Sequence, residues 1–213
     1  MAEATGFLYP FLDAAPDDPA ALLGDLSRSA VEKWEVSVAL RRTTVEDLEG
    51  DLAATADAMA TLVAAGGRVL AFGNGGSAAD AEAFVQSCAS GPEPVPAVSL
   101  AADPAVLTAL ANDIGVDAIF ARQIAAHGRS GDVAVAFSTS GGSSNVIAAL
   151  DQARSAGLLT IGIVGYGGGA LRTHVHHCLA VHSDSVHRIQ EAQTAVASTL
   201  VGAVSRRLEE RGP

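Results

Sequence analysis

Apolar runs of strand length alternate along this chain with longer segments in which apolar residues recur at helical spacing. The runs lie at residues 68–72, 97–100, 132–137, 160–165 and 178–182. The segments that predict helices lie at residues 20–40, 45–65, 77–90, 104–112, 118–127, 144–156 and 186–208. Continuous apolar strands alternating with helices are typical of a parallel sheet covered on both faces, which predicts an α/β fold. In such sheets, ligands bind at the carboxyl ends of the strands.

Two predicted helices precede the first strand, and the residues before them show no helical pattern. The segment 1–19 is rich in proline and is expected to be a flexible arm, so that residues 20–213 form a single domain. The second helix is expected to start after Thr43 and Thr44, where a hydroxyl caps free N–H groups, and to stop at the glycine pair 66–67. Such helices pack either on the chain's own sheet or on copies of themselves in an oligomer.

Glycine turns rich in hydroxyl groups follow the first and third predicted strands, and each leads into an alanine-rich helix. The residues concerned are Asn74, Gly75 and Ser77 in the first turn and Ser138, Thr139, Ser140 and Ser143 in the second. A strand, a tight turn and a helix N-terminus gather free N–H groups where the helix dipole is positive, which suits a phosphate. Neither turn has the sequence of a P-loop or of a dinucleotide site. The alternative interpretation is an ordinary strand-to-helix connection.

Composition narrows the range of partners and compartments. The chain has 213 residues, of which 49% are hydrophobic and only 4% aromatic, so small aliphatic side chains must build its core. The net charge of −11 argues against nucleic acid as a partner, because binding it requires clustered Lys and Arg. Cys88 and Cys178 form no disulfide framework and are interpreted as reduced thiols. With no export signal and no apolar run of about 20 residues, a soluble, cytoplasmic protein without a membrane partner is expected.

Four motifs occur in the order expected of one known family. They are Gly73-Asn-Gly-Gly-Ser-Ala-Ala-Asp-Ala81, Ala111-Asn-Asp113, Ser138-Thr-Ser-Gly141 followed by Ser143, and Arg188-Ile-Gln-Glu191. Over roughly residues 35–208 the chain resembles the sugar isomerase (SIS) domain family, and within it the sedoheptulose 7-phosphate isomerase (phosphoheptose isomerase) branch. It is also similar to the initiator-associating protein of bacterial replication, a relative that binds a protein partner.

The resemblance implies a three-layer α/β/α sandwich with a five-stranded parallel sheet and two N-terminal helices. It also implies a homotetramer that holds a sugar phosphate at the borders between subunits. The residues that the resemblance assigns to the substrate are Asn74, Gly75 and Ser77 in the first turn, Ser138, Thr139, Ser140 and Ser143 around the phosphate, Asp113 beside the sugar hydroxyls, and Gln190 on the final helix.

The chain departs from the family where the family binds zinc and moves protons. In the family motif Asp-Ala-Gln-His-Phe-x-x-Glu, this chain has Ala83 in place of the histidine and Ser87 in place of the glutamate. On the final helix, Gln193 and Ser198 stand where the family has histidines, so Gln190 alone remains of the metal ligands. Alanine and serine do not titrate near neutral pH, and one amide does not retain a divalent ion. No cofactor is therefore expected.

His187 and Glu191 remain as candidates for a relocated acid or base, since both lie close to the expected pocket. The alternatives are a surface or capping role for His187 and a structural pairing of Glu191 with Arg188. A separate group of histidines has no acidic or thiol side chain to complete a metal set and is expected to face solvent. Its members are His174, His176, His177 and His182.

Two functions from different classes fit these residues. In the first, the protein is an isomerase of altered chemistry that acts on a ketose or aldose phosphate. In the second, it is a catalytically inactive SIS protein that binds a phosphosugar and regulates or scaffolds a protein partner. The polar turns support ligand binding in both cases, and the missing acid and base favour the second.

Overall fold

The computed structural model describes residues 19–211, and these contain a parallel sheet of five strands in the order β2-β1-β3-β4-β5. The strands are β1 Val69–Gly73, β2 Ala97–Ser99, β3 Val133–Ser138, β4 Leu159–Val164 and β5 His177–Ala180. Every neighbouring pair in the sheet is parallel. This arrangement confirms the predicted α/β fold and the five-stranded parallel sheet.

Helices cover both faces of the sheet, as the alternating pattern predicts. The helices of residues 19–211 are α1 Pro19–Asp47, α2 Glu49–Ala64, α3 Gly76–Ser90, α4 Pro104–Asp113, α5 Ile119–His127, α6 Ser144–Ser155 and α7 Val186–Arg211. Short 3-10 turns occupy Val116–Ala118, Tyr166–Gly168 and Ala170–His174.

Both faces of the central strands are buried, which explains their continuous apolar runs. Alternate residues of β3 enter different cores because side chains point to opposite faces of a strand. Val135 and Phe137 join a core that contains side chains of α2, α3 and α7. Ala134 and Ala136 join a second core with side chains of α5 and α6. Cys88 of α3 lies in the first core, and burial raises the pKa of its thiol to about 12, so it is an unreactive core residue.

The boundary between the first two helices differs from the prediction. α1 continues through Thr43, whose hydroxyl donates to the Leu40 carbonyl at 3.2 Å within the helix and does not cap a new one. The break falls at Leu48, which is the N-cap of α2 and makes no side-chain capping bond. The chain divides into two compact units, one ending at Ala39 and the other starting at Leu40. The predicted arm lies outside the described residues except for Pro19.

The order of the strands decides which turns meet. β1 and β3 are direct neighbours, and Gly73 at the end of β1 is paired with Phe137, next to the end of β3. The two predicted polar turns follow these strand ends and therefore lie side by side at the carboxyl edge of the sheet. Within residues 19–211, no helix is long and apolar enough to span a membrane.

Candidate functional site

Two helix N-termini converge at the carboxyl edge of the sheet. α3 begins at Gly76, directly after the turn that follows β1, and α6 begins at Ser144, directly after the turn that follows β3. Gly75, the N-cap of α3, has a φ of 56°, a left-handed conformation that glycine adopts without strain. The positive ends of both helix dipoles therefore point into the same region, which favours an anion there.

A reciprocal pair of amides joins the two turns. Asn74 Nδ2 donates to Asn145 Oδ1 at 2.8 Å, and Asn145 Nδ2 donates back to Asn74 Oδ1 at 2.9 Å. Asn145 lies in the first turn of α6 and is only 4% exposed, whereas Asn74 is exposed. The pair fixes the first turn relative to the N-terminus of α6, so the spacing of the polar groups does not depend on backbone contacts alone.

The second turn is held in shape by its own hydroxyl groups. The backbone N–H of Gly141 donates to Ser138 Oγ at 3.0 Å, and that of Gly142 donates to Ser140 Oγ at 3.2 Å. Gly141 has a φ of 62°, and a side chain there would collide with the carbonyl of Gly168. The glycine-rich segment after β4 therefore supports this turn from behind at a distance that only glycine allows.

A small polar cavity of about 80 Å³ lies between the two turns. It brings together the predicted substrate residues Asn74, Ser77, Ser138, Thr139, Ser140 and Ser143, with Phe137 at its base. Ser143 is the N-cap of α6, yet its side chain makes no capping bond to that helix. The cavity thus offers several hydroxyl donors next to two helix N-termini, which is the chemistry of a phosphate site.

A larger cavity of about 390 Å³ adjoins the first turn between α3 and α7. Its walls are formed by Gly76, Asp80, His187, Gln190, Glu191 and Thr194. The structure thus brings Gln190, His187 and Glu191 together in one cavity. A side chain at Gly76 would collide with Gln190 Nε2, so the absence of a side chain lets this amide lie over the start of α3.

α3 and α7 run in parallel along one line of contact, which we call the seam. At one end Gly76 faces Gln190, and at the other a side chain at Gly91 would meet the hydroxyl of Ser205. The same offset in sequence places Asp80 opposite Thr194 and Ala83 opposite Ala197, the residue before Ser198. Ala83 and Ser198 are exposed in the single chain, so they lie on the open side of the seam.

Asp80 is the acidic side chain that α3 contributes to the larger cavity. Its Oδ2 is buried and has no hydrogen-bond partner of good geometry among residues 19–211. Burial raises the pKa of this carboxyl group, and the nearby Thr194 hydroxyl lowers it to a smaller extent. The Thr194 hydroxyl also donates to the Gln190 carbonyl at 3.0 Å, so its single proton is not fully available to Asp80.

The residues of the seam do not fit the zinc ion that the family resemblance implies. The positions in question carry a methyl group at Ala83 and hydroxyls at Ser87 and Ser198, so the Gln190 amide is the one family ligand that is kept. The Ser87 hydroxyl donates to the Ala83 carbonyl at 2.9 Å. Across residues 19–211, no three His, Cys, Asp or Glu side chains come together in a way that would hold a metal ion. Neutral oxygens without imidazole or thiolate are poor zinc ligands.

Gln193 has a structural position that the sequence does not reveal. It is fully buried, and its Nε2 donates to the Ile163 carbonyl at 2.8 Å and to the Ser138 carbonyl at 3.2 Å. These carbonyls belong to the ends of β4 and β3. Gln193 therefore ties α7 to the strand that carries the second turn.

Sequence reasoning missed three residues of this region: Asn145, Asp80 and Thr194. Helical spacing offered a signal for the last two, since Asp80 precedes Ala83 by three residues and Thr194 follows Gln190 by four. Asn145 offered none, because its partner Asn74 is distant in sequence and meets it only through the order of the strands.

Other predicted residues lie elsewhere. Asp113 is exposed at the end of α4, where its carboxylate accepts a hydrogen bond from Asn112 Nδ2 at 2.8 Å, and it lines neither cavity. Two histidines near the start of β5 have polar partners: His174 Nδ1 lies 2.7 Å from Asp151 Oδ1, and His176 Nδ1 accepts from the Thr160 N–H at 3.0 Å. That end of the sheet is opposite to the polar turns.

The fold and the paired turns define an α/β protein with a candidate anion site at the carboxyl edge of its sheet. The SIS domain, as a family, matches residues 34–165. A phosphoheptose isomerase of Roseiflexus sp. is 40% identical over 188 residues, which cover 86% of this chain and 95% of that relative. The chain therefore belongs to the SIS domain family and is a homologue of the phosphoheptose isomerases.

Solved structures agree with this assignment. A phosphoheptose isomerase from Francisella tularensis superposes with a TM-score of 0.78 at 31% identity, covering 84% of this chain and 97% of that one. Phosphoheptose isomerase GmhA from Neisseria gonorrhoeae also gives a TM-score of 0.78, at 32% identity, covering 87% and 99% of the two chains. At these identities, the two solved structures support membership of the same family as well as a common fold.

Proposed function

We propose that this protein binds a sugar phosphate, with the phosphate group in the small cavity and the sugar in the larger one. The observation that carries the proposal is the convergence of hydroxyl side chains and two helix N-termini around a cavity of about 80 Å³. The phosphoheptose isomerases to which the chain is similar take their name from a substrate of this class.

The first turn connects the two cavities. Asn74 and Ser77 line the small one, and Gly76 between them lines the large one. A single ligand that passes over Gly76 would touch both. Its hydroxyl groups would then lie near Asp80 and the Gln190 amide, which offer an acceptor and a donor.

The reaction, if the protein has one, must differ from that of the family in its acid and base. The resemblance places the proton-transfer residues at Ala83, Ser87 and Ser198, and none of these side chains titrates near neutral pH. An isomerase of altered chemistry is one function that fits this site. The same substitutions support the second candidate, an inactive phosphosugar-binding protein that regulates or scaffolds a partner.

Calorimetric titration with sedoheptulose 7-phosphate tests the binding. We expect Thr139→Val and Ser143→Ala each to weaken it about tenfold, because each removes a hydroxyl donor to a charged group. Ser155→Ala is the matched control, since Ser155 lies at the far end of α6 and its hydroxyl donates to the Asp151 carbonyl. Binding that is unchanged in both turn variants would contradict the proposed site.

An assay for conversion of sedoheptulose 7-phosphate, with and without added zinc, separates the two candidate functions. Turnover that does not depend on zinc would support the isomerase of altered chemistry. Binding without turnover would support the inactive phosphosugar-binding protein.

We also propose that the protein is a homotetramer, as its resemblance to the family implies. Support comes from the N-terminal unit, in which Leu23 is 64% exposed and Trp34 is 63% exposed. Apolar side chains of this size are usually covered in a functional assembly. Light scattering at micromolar concentration is expected to give the mass of four chains for the parent and a smaller mass for Trp34→Glu. A monomeric parent would contradict the proposal.

A further inference from the structure

One face of α3 carries Asp80, Ala83 and Ser87, which are spaced by three and four residues. Of these, only Asp80 titrates in water. The family resemblance places proton transfer on this face and on the facing side of α7. Asp80, which matches the aspartate of the family motif, therefore keeps an acid or base at the seam although the positions of the family's own acid and base have lost theirs.

We propose that Asp80 is the proton-transfer residue of this protein, acting on the sugar of a phosphosugar whose phosphate is held between the two turns. The inference rests on the proposed function, because it requires a sugar phosphate in the larger cavity. Its geometric basis is that Asp80 lines this cavity together with Gln190, while Gly76 leads from it to the phosphate turns.

The surroundings of Asp80 suit a base. Its Oδ2 is buried and accepts no hydrogen bond from residues 19–211, so the negative charge is poorly stabilised. Burial accordingly raises the pKa of the carboxyl group above its ordinary value, which makes its carboxylate a stronger base. The other titratable side chains that line the cavity are His187 and Glu191 of α7, and both are exposed. On its own helix, the nearest is Glu82.

The proposed step balances without an added reagent. The Asp80 carboxylate takes the proton from the hydroxyl-bearing carbon next to the sugar's carbonyl, and the C–H electron pair forms the double bond of an enediolate. The former carbonyl oxygen takes the negative charge and then a proton from water. The adjacent hydroxyl loses its proton to water as the new carbonyl forms. The double-bond electrons take the proton back from Asp80 at the other carbon, which yields the isomeric sugar phosphate.

Exchange of carbon-bound hydrogen in D₂O tests this step directly. The protein is incubated with sedoheptulose 7-phosphate, and deuterium in the sugar is measured by mass spectrometry. Asp80→Asn is expected to slow incorporation at least about 100-fold, because a general base contributes roughly 10²–10⁴-fold, while the dissociation constant stays within a few-fold of the parent. Glu82→Gln is the matched control and is expected to exchange at the parent rate.

A second measurement distinguishes a base from a residue that only holds the fold. The Thr194 hydroxyl lowers the pKa of Asp80, so Thr194→Val removes that effect and raises the pKa further. Asp80 would then lose its proton only at higher pH. The acidic limb of the rate profile is expected to move to higher pH in Thr194→Val and to stay in place in Glu82→Gln.

The outcomes separate this inference from the proposed function. Binding of sedoheptulose 7-phosphate without exchange in the parent would overturn the role of Asp80 alone. Full exchange in Asp80→Asn, with loss in His187→Ala or Glu191→Gln, would assign the base to α7 and overturn it as well. Absence of binding would overturn the proposed function and this inference together.

Discussion

The second turn and the start of the seam lie at the same edge of the sheet, yet the chemistry of the two regions differs. The turn from Ser138 to Ser143 is rich in hydroxyls and is braced by Gly168 and Gln193. The seam carries small side chains at Ala83 and Ser198, with one half-buried carboxyl group at Asp80. Different elements of one fold thus carry the groups suited to holding an anion and the groups suited to moving a proton, so one set can change while the other is kept.

The largest effect is expected from substitutions that restore the family's metal ligands at the seam. The combined substitution Ala83→His, Ser87→Glu and Ser198→His adds to Gln190 the imidazole and carboxylate ligands of the family's metal set. We expect the protein to change from no stoichiometric zinc to about one zinc per chain, measured by elemental analysis. Activity toward sedoheptulose 7-phosphate is expected to rise by orders of magnitude if the scaffold is otherwise competent.

A matched control for the rebuilt seam uses the neighbouring positions of α3. Glu82→His with Gln86→Glu, combined with Ser198→His, introduces the same side chains at one residue's offset, roughly 100° around the helix. This variant is expected to bind no stoichiometric zinc. Equal zinc content in both variants would mean that the face of α3 does not determine the site.

The second turn is expected to tolerate very little change at Gly141. Gly141→Ala forces a left-handed residue against the Gly168 carbonyl, and we expect the free energy of unfolding to fall by about 2 kcal/mol and phosphate binding to weaken. Urea unfolding and titration with inorganic phosphate measure the two effects. At Gly142 a side chain would reach only the Ser140 hydroxyl, so Gly142→Ala serves as the control and should differ little from the parent.

The amide pair between the turns predicts that its two single substitutions lower the free energy of unfolding by different amounts. Asn74→Ala leaves the buried Asn145 amide without a partner, which costs about 2 kcal/mol, whereas Asn145→Ala leaves only the exposed Asn74 amide, which water can satisfy. Urea unfolding is expected to rank Asn74→Ala below Asn145→Ala, with the double variant close to Asn145→Ala. Additive losses in the double variant would show that the two amides are not coupled.

The smallest expected effect is a gain of stability at the seam. Because the pKa of Asp80 is raised in the folded state, that state binds the proton more tightly than the unfolded chain does. The free energy of unfolding must then fall as the pH rises from the ordinary aspartate pKa through the raised one. Asp80→Asn is expected to remove this fall and so to make the protein slightly more stable than the parent at neutral pH. A less stable Asp80→Asn variant would show that the carboxylate has a partner in the folded protein.

The sequence was sufficient to predict the α/β class, the parallel sheet and the edge at which the polar turns lie. The reason is local, because strand runs and helical spacing are set by neighbouring residues and by burial on both faces of the sheet. The helix boundary near Thr43 was predicted wrongly. A hydroxyl caps a new helix or bonds within an existing one with equal ease, and only the folded chain shows which bond forms.

Only the tertiary structure determined which groups surround each polar residue. The strand order β2-β1-β3-β4-β5 places two turns, more than sixty residues apart in sequence, side by side and pairs Asn74 with Asn145. It also brings α3 alongside α7, which buries Asp80 Oδ2 and raises the pKa of that carboxyl group. Hydrogen bonding and desolvation depend on atoms that are close in space. The sequence determines where the helices and strands form. Their packing determines which side chains gain the hydrogen-bond partners and the burial that change their chemical properties.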